Sequence, residues 1–292
     1  MKLDALVDAA ISEAPDLAPL RPVVEKELLH YEILRALDQA GLLDQLTFQG
    51  GTSLRLCHGA PRFSEDLDFA GGAAFAAGDV GGMARAIESL IERDFGLDVR
   101  VKAPTGKQES ERTADVAVSR WQVIVTTAPA RPDLPRQRIR LEIANVPAYS
   151  SELRPLRRNY AALPDGYEDI LVPVETLSEV LCDKLIAVVA STFIRHRDLW
   201  DLPWLQQQGA MIDPEWLRAK VADYGLTDYR DALERRLAVL PDDINANAFR
   251  AQMARFLPPG VIERTIARRG FLDYLVSANQ ALLEQARAAV LG

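Results

Sequence analysis

The sequence contains few residues of the types that build zinc sites or disulfide frameworks. Two cysteines, Cys57 and Cys182, lie far apart, and only three histidines occur in 292 residues. Zinc sites need several such ligands at short spacing, so this composition argues against a zinc-binding domain. We expect both cysteines to be reduced and buried.

Long apolar runs are also missing. No stretch reaches the roughly 20 apolar residues that cross a bilayer, and the chain begins without a basic-then-apolar signal. We therefore predict a cytoplasmic protein that is not bound to a membrane. The formal net charge of −8 argues against a protein that coats nucleic acid non-specifically, but it is compatible with a local basic groove.

The hydrophobic pattern changes along the chain. Apolar residues recur at helical spacing in residues 1–45, and the middle of the chain alternates in short, β-branched segments. An irregular, proline-rich connector is predicted over residues 146–177. Beyond it the pattern is helical, with predicted breaks near Pro203, Pro214, Pro241 and Pro258.

These patterns predict an α+β fold in two domains. An α/β domain with a mixed or antiparallel sheet is expected over residues 1–172, and a helical domain over residues 173–292.

The strongest chemical signal lies in FQGGTSLRLCHGAPRFSEDLDFA, residues 48–70. Its end is predicted to be a strand, with Leu67 and Phe69 on one face and Asp66 and Asp68 on the other. Two carboxylates that point the same way repel each other unless a cation lies between them. Mg²⁺ favours carboxylates combined with phosphate oxygens, although such a pair is also common on a solvated strand.

A glycine-rich turn precedes this strand. Gly50 and Gly51 end a predicted strand, and a short helix is predicted from about Thr52 to Cys57. Glycines let a backbone approach phosphate, helix N-termini attract anions, and Thr52 or Ser53 could add a hydroxyl. The alternative is a plain tight turn with a helix cap. A phosphate-binding turn followed by a carboxylate pair predicts a nucleotide–metal site.

Glu142 is a candidate third carboxylate. It lies on the polar face of a predicted strand, beside Arg138 and Arg140, while the apolar residues of that strand occupy the other face. If this strand neighbours the strand of Asp68, Glu142 could reach the same metal ions, and nucleotidyl transfer commonly uses two. The alternative is that Glu142 only pairs with one of the two arginines.

Lys184 occupies an unusual position inside the apolar stripe of a predicted helix. A lysine at a core position needs an anion or a route to solvent. Either it pairs with a structural acid, or its helix faces a cleft where the ammonium binds phosphate. Downstream, Asp198 and Asp201 lie one helical turn apart, and a salt-bridge cluster on a helix surface is the plain interpretation of them.

Together these residues resemble a known family. EKELL, FQGGTSLRL, RFSEDLDF and KLIAVVASTFIRHRDLWDL are similar to the signature of the AbiEii/AbiGii-type nucleotidyltransferases, the toxins of type IV toxin–antitoxin systems. The resemblance runs from about Val23 to Leu202 and implies a polymerase-β-like nucleotidyltransferase core. One departure is Gln49, where many relatives carry a lysine.

The resemblance implies roles for the candidate residues. Asp66, Asp68 and Glu142 would ligate Mg²⁺ at a two-metal site. The NTP would contact residues of the turn and nearby cations, namely Gly50, Gly51, Thr52, Ser53, Arg62 and Lys184. Asp198 would orient Lys184 or help to activate the acceptor, with both residues contributed to the cleft by the helical domain.

The implied activity is transfer of a nucleoside monophosphate from an NTP to RNA, the tRNA 3′ end in relatives, which blocks translation. A cognate antitoxin encoded nearby is implied, without a stable complex. Two alternatives remain open: a small-molecule nucleotidyltransferase of the antibiotic-modifying type, and a non-catalytic binding protein linked to an antitoxin. Scattered arginines form a candidate basic track for RNA, namely Arg131, Arg136, Arg138, Arg140, Arg154, Arg157 and Arg158.

Overall fold

The computed structural model describes residues 2–104, 116–131 and 133–291. Contacts between residues divide the described chain into two units, the first ending at Val174 and the second beginning at Glu175. In the described part of the chain, no helix is both long and apolar enough to cross a membrane. Cys57 and Cys182 are free and buried, as expected.

The first unit contains seven strands among its described residues: β1 (Thr47–Gln49), β2 (Leu67–Ala70), β3 (Asp98–Lys102), β4 (Val118–Thr126), β5 (Gln137–Ala144), β6 (Glu152–Pro155) and β7 (Leu171–Val174). Its α-helices are α1 (Leu3–Glu13), α2 (Arg21–Gln39), α3 (Gly50–Leu56) and α4 (Met83–Phe95). Short 3₁₀ turns cover Pro15–Leu20, Leu43–Gln45 and Ala77–Val80.

The strands form one mixed sheet in the order β3-β4-β5-β2-β1-β7-β6. Strand β2 pairs antiparallel with β1 and parallel with β5, and β5 pairs antiparallel with β4. Alternation fixes the two faces of β5, because Ile139, Leu141 and Ile143 are fully buried whereas Arg138 and Arg140 are exposed. Helix α2 packs against α4, and α4 packs against β3.

Most of the predicted elements of this unit are present. The segment MARAIESLIERDF, whose hydrophobic pattern predicts a helix, forms α4, and the predicted strand and helix on either side of Gly50 are β1 and α3. The irregular connector prediction was incomplete, because the short strands β6 and β7 lie in it and pair with each other. The alternating segment TADVAVSRWQVIVTTA, residues 113–128, predicts a strand; β4 lies within it, and residues 113–115 lie outside the described residues.

The second unit is helical in its described residues. Its helices are α5 (Leu177–Ala190), α6 (His196–Gln207), α7 (Pro214–Asp223), α8 (Tyr229–Asn245), α9 (Asn247–Ala254), α10 (Pro259–Arg264) and α11 (Phe271–Leu291).

Two predicted helix breaks in this unit are wrong. Pro203 lies inside α6 and Pro241 inside α8. A proline inside a helix costs about 3 kcal/mol through a lost hydrogen bond and a clash. Buried neighbours such as Leu202 and Leu240 anchor these helices in the core and outweigh that cost.

Candidate active site

Strand β2 places Asp68 on the polar face of the sheet. Its neighbours Leu67 and Phe69 are fully buried, and Phe69 stacks on Phe48 of β1 with 5.0 Å between ring centroids. This contact belongs to a register in which Phe48 is opposite Phe69 and Gln49 is opposite Asp68. Because side chains alternate along a strand, the burial of Phe69 turns Asp68 to the opposite face.

Glu142 is the direct neighbour of Asp68 in the sheet. The parallel register of β2 and β5 pairs Asp68 with Glu142 and Phe69 with Ile143. Register partners point to the same face, so the two carboxylates lie side by side. Arg120 of β4 is the next partner in the same row, and its Nε is 2.9 Å from Glu142 Oε1. The strand of Glu142 does neighbour the strand of Asp68, as the metal-site interpretation expected. Glu142 also pairs with an arginine, but this arginine is Arg120 rather than Arg138 or Arg140.

Gly50 brings the start of α3 directly against Asp68. It has φ +77°, and a Cβ at this position would lie 2.8 Å from Asp68 Oδ2. A Cβ at Gly51 would lie 2.7 Å from Arg62 Nη2 and 2.9 Å from Ser64 Oγ. Glycine is therefore favoured at position 50 by the left-handed backbone and by the close approach of Asp68, and at position 51 by the close approach of Arg62 and Ser64. They place the positive end of a short helix beside a carboxylate.

The hydroxyls of Thr52 and Ser53 donate hydrogen bonds to backbone oxygens of the protein. Thr52 Oγ1 donates to the backbone oxygen of Asp66, and Ser53 Oγ donates to Gly50 O at 2.9 Å. Both side chains are buried. Thr52 thereby ties α3 to the start of β2. Backbone N–H groups of the first helical turn, which cannot bond within the helix, are the donors that suit an anion here.

Asp66 lies just before β2 and faces Arg140 of β5. Arg140 Nη2 is 2.7 Å from Asp66 Oδ2, and the backbone N–H of Arg140 donates to Asp66 Oδ1 at 3.3 Å. The guanidinium of Arg140 is 59% exposed, so this ion pair lies at the protein surface. The nearby Arg62 is buried and donates from Nη1 to Phe63 O at 2.6 Å.

Helix α2 contacts both α3 and the segment that leads into β2. The sequence pattern did not predict these contacts. Arg55 of α3 donates to Glu27 from Nε at 2.9 Å, and Glu27 is 1% exposed. Lys26 Nζ lies 3.1 Å from Glu65 Oε1. Charged residues at buried positions of an amphipathic helix were the available signal.

His30 of α2 adds a hydrogen bond to the backbone of the same segment. Its Nε2 is 3.0 Å from Glu65 O, and because a carbonyl only accepts, Nε2 carries the proton. Burial lowers the pKa of His30 to about 4, so the ring is neutral at pH 7.

In the second unit, Lys184 is buried between two carboxylates. Its Nζ is 2.6 Å from Asp198 Oδ1 and 2.8 Å from Asp201 Oδ2. Burial alone would raise the pKa of Asp198, but the cations of Lys184 and Arg195 outweigh it and hold this pKa below its usual value. The ion pair fits the expectation that Asp198 orients Lys184, and it shows that Lys184 has acidic partners within its own unit.

Among the described residues, the three-residue group with potential ligand atoms within 4.8 Å of one another is Glu175, Glu179 and Asp183 of the second unit. Asp66, Asp68 and Glu142 of the first unit do not form such a group; Arg140 binds Asp66, and Arg120 binds Glu142.

A lysine ammonium already lies within this acidic group of the second unit. Lys220 Nζ is 2.8 Å from Glu179, 2.8 Å from Asp183 and 3.5 Å from Glu175. A metal ion there would have to displace a buried cation. Burial and then Asp183 raise the pKa of Glu175 well above its usual value, which favours the protonated form of this carboxyl.

A family model described as "Nucleotidyl transferase AbiEii toxin, Type IV TA system" matches residues 32–275. The chain belongs to this AbiEii family of nucleotidyltransferase toxins. The family assigned by sequence resemblance, the fold class and the enzyme class are thereby confirmed.

Solved structures show the same fold. The chain is similar to MenT4, a nucleotidyltransferase toxin from Mycobacterium tuberculosis, with 18% identity and a TM-score of 0.61 over 99% of this chain and 93% of that chain. It is also similar to a protein from H. pylori described as a candidate nucleotidyltransferase, with 19% identity and a TM-score of 0.50 over 92% of this chain and 96% of that chain. No curated protein sequence matches the chain significantly.

Proposed function

We propose that this chain is a magnesium-dependent toxin that moves a nucleoside monophosphate from an NTP to RNA, at the 3′ end of tRNA, and thereby blocks translation. The observation that carries the proposal is the placement of Asp68 beside Glu142, with the Gly50 backbone against the Asp68 carboxylate. An anion-binding helix start next to two carboxylates suits a nucleotide phosphate and a divalent cation together.

The donor set at this face suits magnesium. Asp68 and Glu142 present oxygen ligands from neighbouring strands, and Asp66 would join them when its carboxylate leaves Arg140. Because Gly50 has no side chain, the space beside Asp68 Oδ2 is not filled by a Cβ. Magnesium, when bound, would polarise phosphate oxygens and neutralise charge during transfer.

The chain's own groups would bind the triphosphate and align the acceptor. Backbone N–H groups from Gly50 to Ser53 and the guanidinium of Arg62, which lies against Gly51, would bind phosphate oxygens. The acceptor hydroxyl oxygen forms a bond to the α-phosphorus and gives its proton to water, while the bond from the α-phosphorus to the bridging oxygen breaks and pyrophosphate leaves. We further propose that Lys184 binds phosphate and that Asp198 positions its ammonium; the 2.6 Å ion pair between them supports the positioning.

Membership of a type IV toxin family implies a cognate antitoxin and an NTP substrate. We propose that the antitoxin forms no stable complex with this chain and that the toxin acts in the cytoplasm.

A labelled-nucleotide screen tests the proposed function. The full chain is incubated with each of the four α-labelled NTPs, Mg²⁺ and total RNA, and the RNA is separated on a gel. We expect label from a preferred NTP on RNA of tRNA size, and none when Mg²⁺ is removed by chelation. Turnover of NTP with an unlabelled RNA pool and a labelled small acceptor would instead identify a small-molecule nucleotidyltransferase.

Replacing Gly50 by alanine is expected to reduce transfer at least about 100-fold. The new Cβ would push on the Asp68 carboxylate, and displacement of a reacting group by about 1 Å can cost that much. Steady-state transfer rates at saturating NTP measure the effect.

Gly72→Ala is the matched control for this variant. Gly72 also has positive φ, at +84°, but a Cβ there meets nothing within 4 Å. Both variants should lose about 1–2 kcal/mol of stability from the left-handed conformation. Equal loss of activity in the two variants would contradict a specific role of the Gly50–Asp68 contact.

A further inference from the structure

The polar face of β3, β4 and β5 is arranged in rows of side chains that cross the strands. One row contains Arg120, Glu142 and Asp68. The next row contains Lys102, Gln122 and Arg140. A third row contains Arg100, Ile124 and Arg138. Partners in a row point to the same face, and successive rows are two residues apart, which is about 7 Å along a strand.

Basic side chains dominate the second and third rows. Arg100, Lys102, Arg138 and Arg140 are all exposed. Among the residues that the structure describes, the acidic side chains of this face are Asp68 and Glu142 in the first row, Asp66 beside Arg140, and Asp98 beyond the third row next to Thr126. The positive charge of these rows is local, because the protein as a whole has a net charge of −8.

We propose that these two basic rows bind the phosphate backbone of a single-stranded RNA acceptor, whose terminal hydroxyl lies at Asp68 and Glu142. This inference rests on the proposed function and adds to it the surface and the direction of the acceptor. The RNA would run from the first row, along β5, towards Arg138 and Arg100.

Two features of the surface favour RNA over an acidic protein as the partner. The two basic rows lie about 7 Å apart, a distance comparable with the spacing of successive phosphates along an extended nucleic-acid strand. They also begin next to the carboxylates where the reactive end of an acceptor has to lie. Arginine, the commonest residue in these rows, forms forked hydrogen bonds with phosphate.

The test measures RNA binding without catalysis. An RNA hairpin with a single-stranded, 3′-deoxy end is titrated with the full chain at several NaCl concentrations, without NTP or Mg²⁺, and fluorescence anisotropy gives the Kd. The variant is Arg100→Glu/Lys102→Glu, on the edge strand β3. The control is Arg268→Glu/Arg269→Glu, two exposed arginines of the second unit that undergo the same change of charge.

We expect the β3 variant to weaken RNA binding at least about tenfold at 50 mM NaCl, while the control stays within about twofold. Loss of two phosphate contacts should also reduce the slope of log Kd against log salt by about 1.4. The Kd for NTP and the circular dichroism spectrum should not change. In transfer assays the β3 variant should raise KM for RNA and leave KM for NTP unchanged.

Equal weakening by the two variants, or no weakening by either, would overturn the inference. Stronger binding of the wild type to polyglutamate than to the RNA hairpin would overturn it in favour of an acidic protein partner. Failure of the proposed function is distinguishable, because a wild type that transfers no label to RNA refutes that function whatever the binding result. Label transfer with an unchanged KM for RNA in the β3 variant refutes only the surface.

Discussion

Asp68→Asn is expected to reduce nucleotidyl transfer at least about a thousandfold. The substitution keeps the shape of the side chain but removes the charge that lies beside Glu142 and against the Gly50 backbone. A carboxylate that holds a metal ion contributes several kcal/mol of transition-state stabilisation, and about 4 kcal/mol corresponds to this factor. Single-turnover transfer of labelled NMP to RNA, at saturating NTP and Mg²⁺, measures the effect.

Asp98→Asn is the matched control for Asp68→Asn. Asp98 lies on the same face of the sheet, at the far end of β3, and its substitution removes the same charge. We expect the transfer rate of this variant to stay within about twofold of the wild type. Isothermal calorimetry with Mg²⁺ and a non-hydrolysable NTP gives a second measurement. Unchanged metal-dependent nucleotide binding and unchanged transfer in Asp68→Asn would refute the assignment of this face as the active site.

Lys220→Met is expected to reduce the free energy of unfolding of the second unit by about 3–5 kcal/mol. Lys220 is 2% exposed, and its ammonium lies among the carboxylates of Glu175, Glu179 and Asp183. Methionine fills a similar volume, so the loss reflects buried charges that have lost their cation. Urea unfolding of the full chain, followed by fluorescence and circular dichroism, measures it.

The pH dependence of the Lys220→Met effect identifies its cause. The pKa of Glu175 is already raised in the wild type, and without the ammonium this carboxyl should bind a proton still more readily. When the pKa of a group is higher in the folded than in the unfolded protein, the group contributes stability below its unfolded pKa. This contribution is lost as the pH rises through the folded pKa. The loss in the variant should therefore be larger at pH 8 than at pH 5.

Arg230→Met provides the control for Lys220→Met. It removes an exposed cation from the same unit and should change the free energy of unfolding by less than about 0.5 kcal/mol. A pH-independent loss in Lys220→Met, or a loss no larger than that of Arg230→Met, would show that the buried cluster does not depend on its lysine. Restoration of stability by added Mg²⁺ or Mn²⁺ would show that a metal can replace the ammonium.

The sequence by itself determined the local elements of the candidate site. Gly50 and Gly51 end a strand and begin a helix. Gly50 has a positive φ, which few other residues tolerate, and both glycines lie in close contact with neighbouring side chains. The alternation of Leu67, Asp68 and Phe69 assigned faces to β2, because a strand has a period of two.

The tertiary structure decided which distant residues meet. Asp68 and Glu142 are neighbours only because β5 pairs parallel with β2, and no local pattern specifies that register. The same holds for the ion pairs of Lys184 with Asp198 and Asp201, where the sequence left a structural and a phosphate-binding interpretation open. The helix breaks predicted at Pro203 and Pro241 failed for a related reason, since packing of the core outweighed a local preference. Periodicity and backbone constraints act between near neighbours in sequence, whereas strand register and buried ion pairs depend on contacts that form only when the chain is folded.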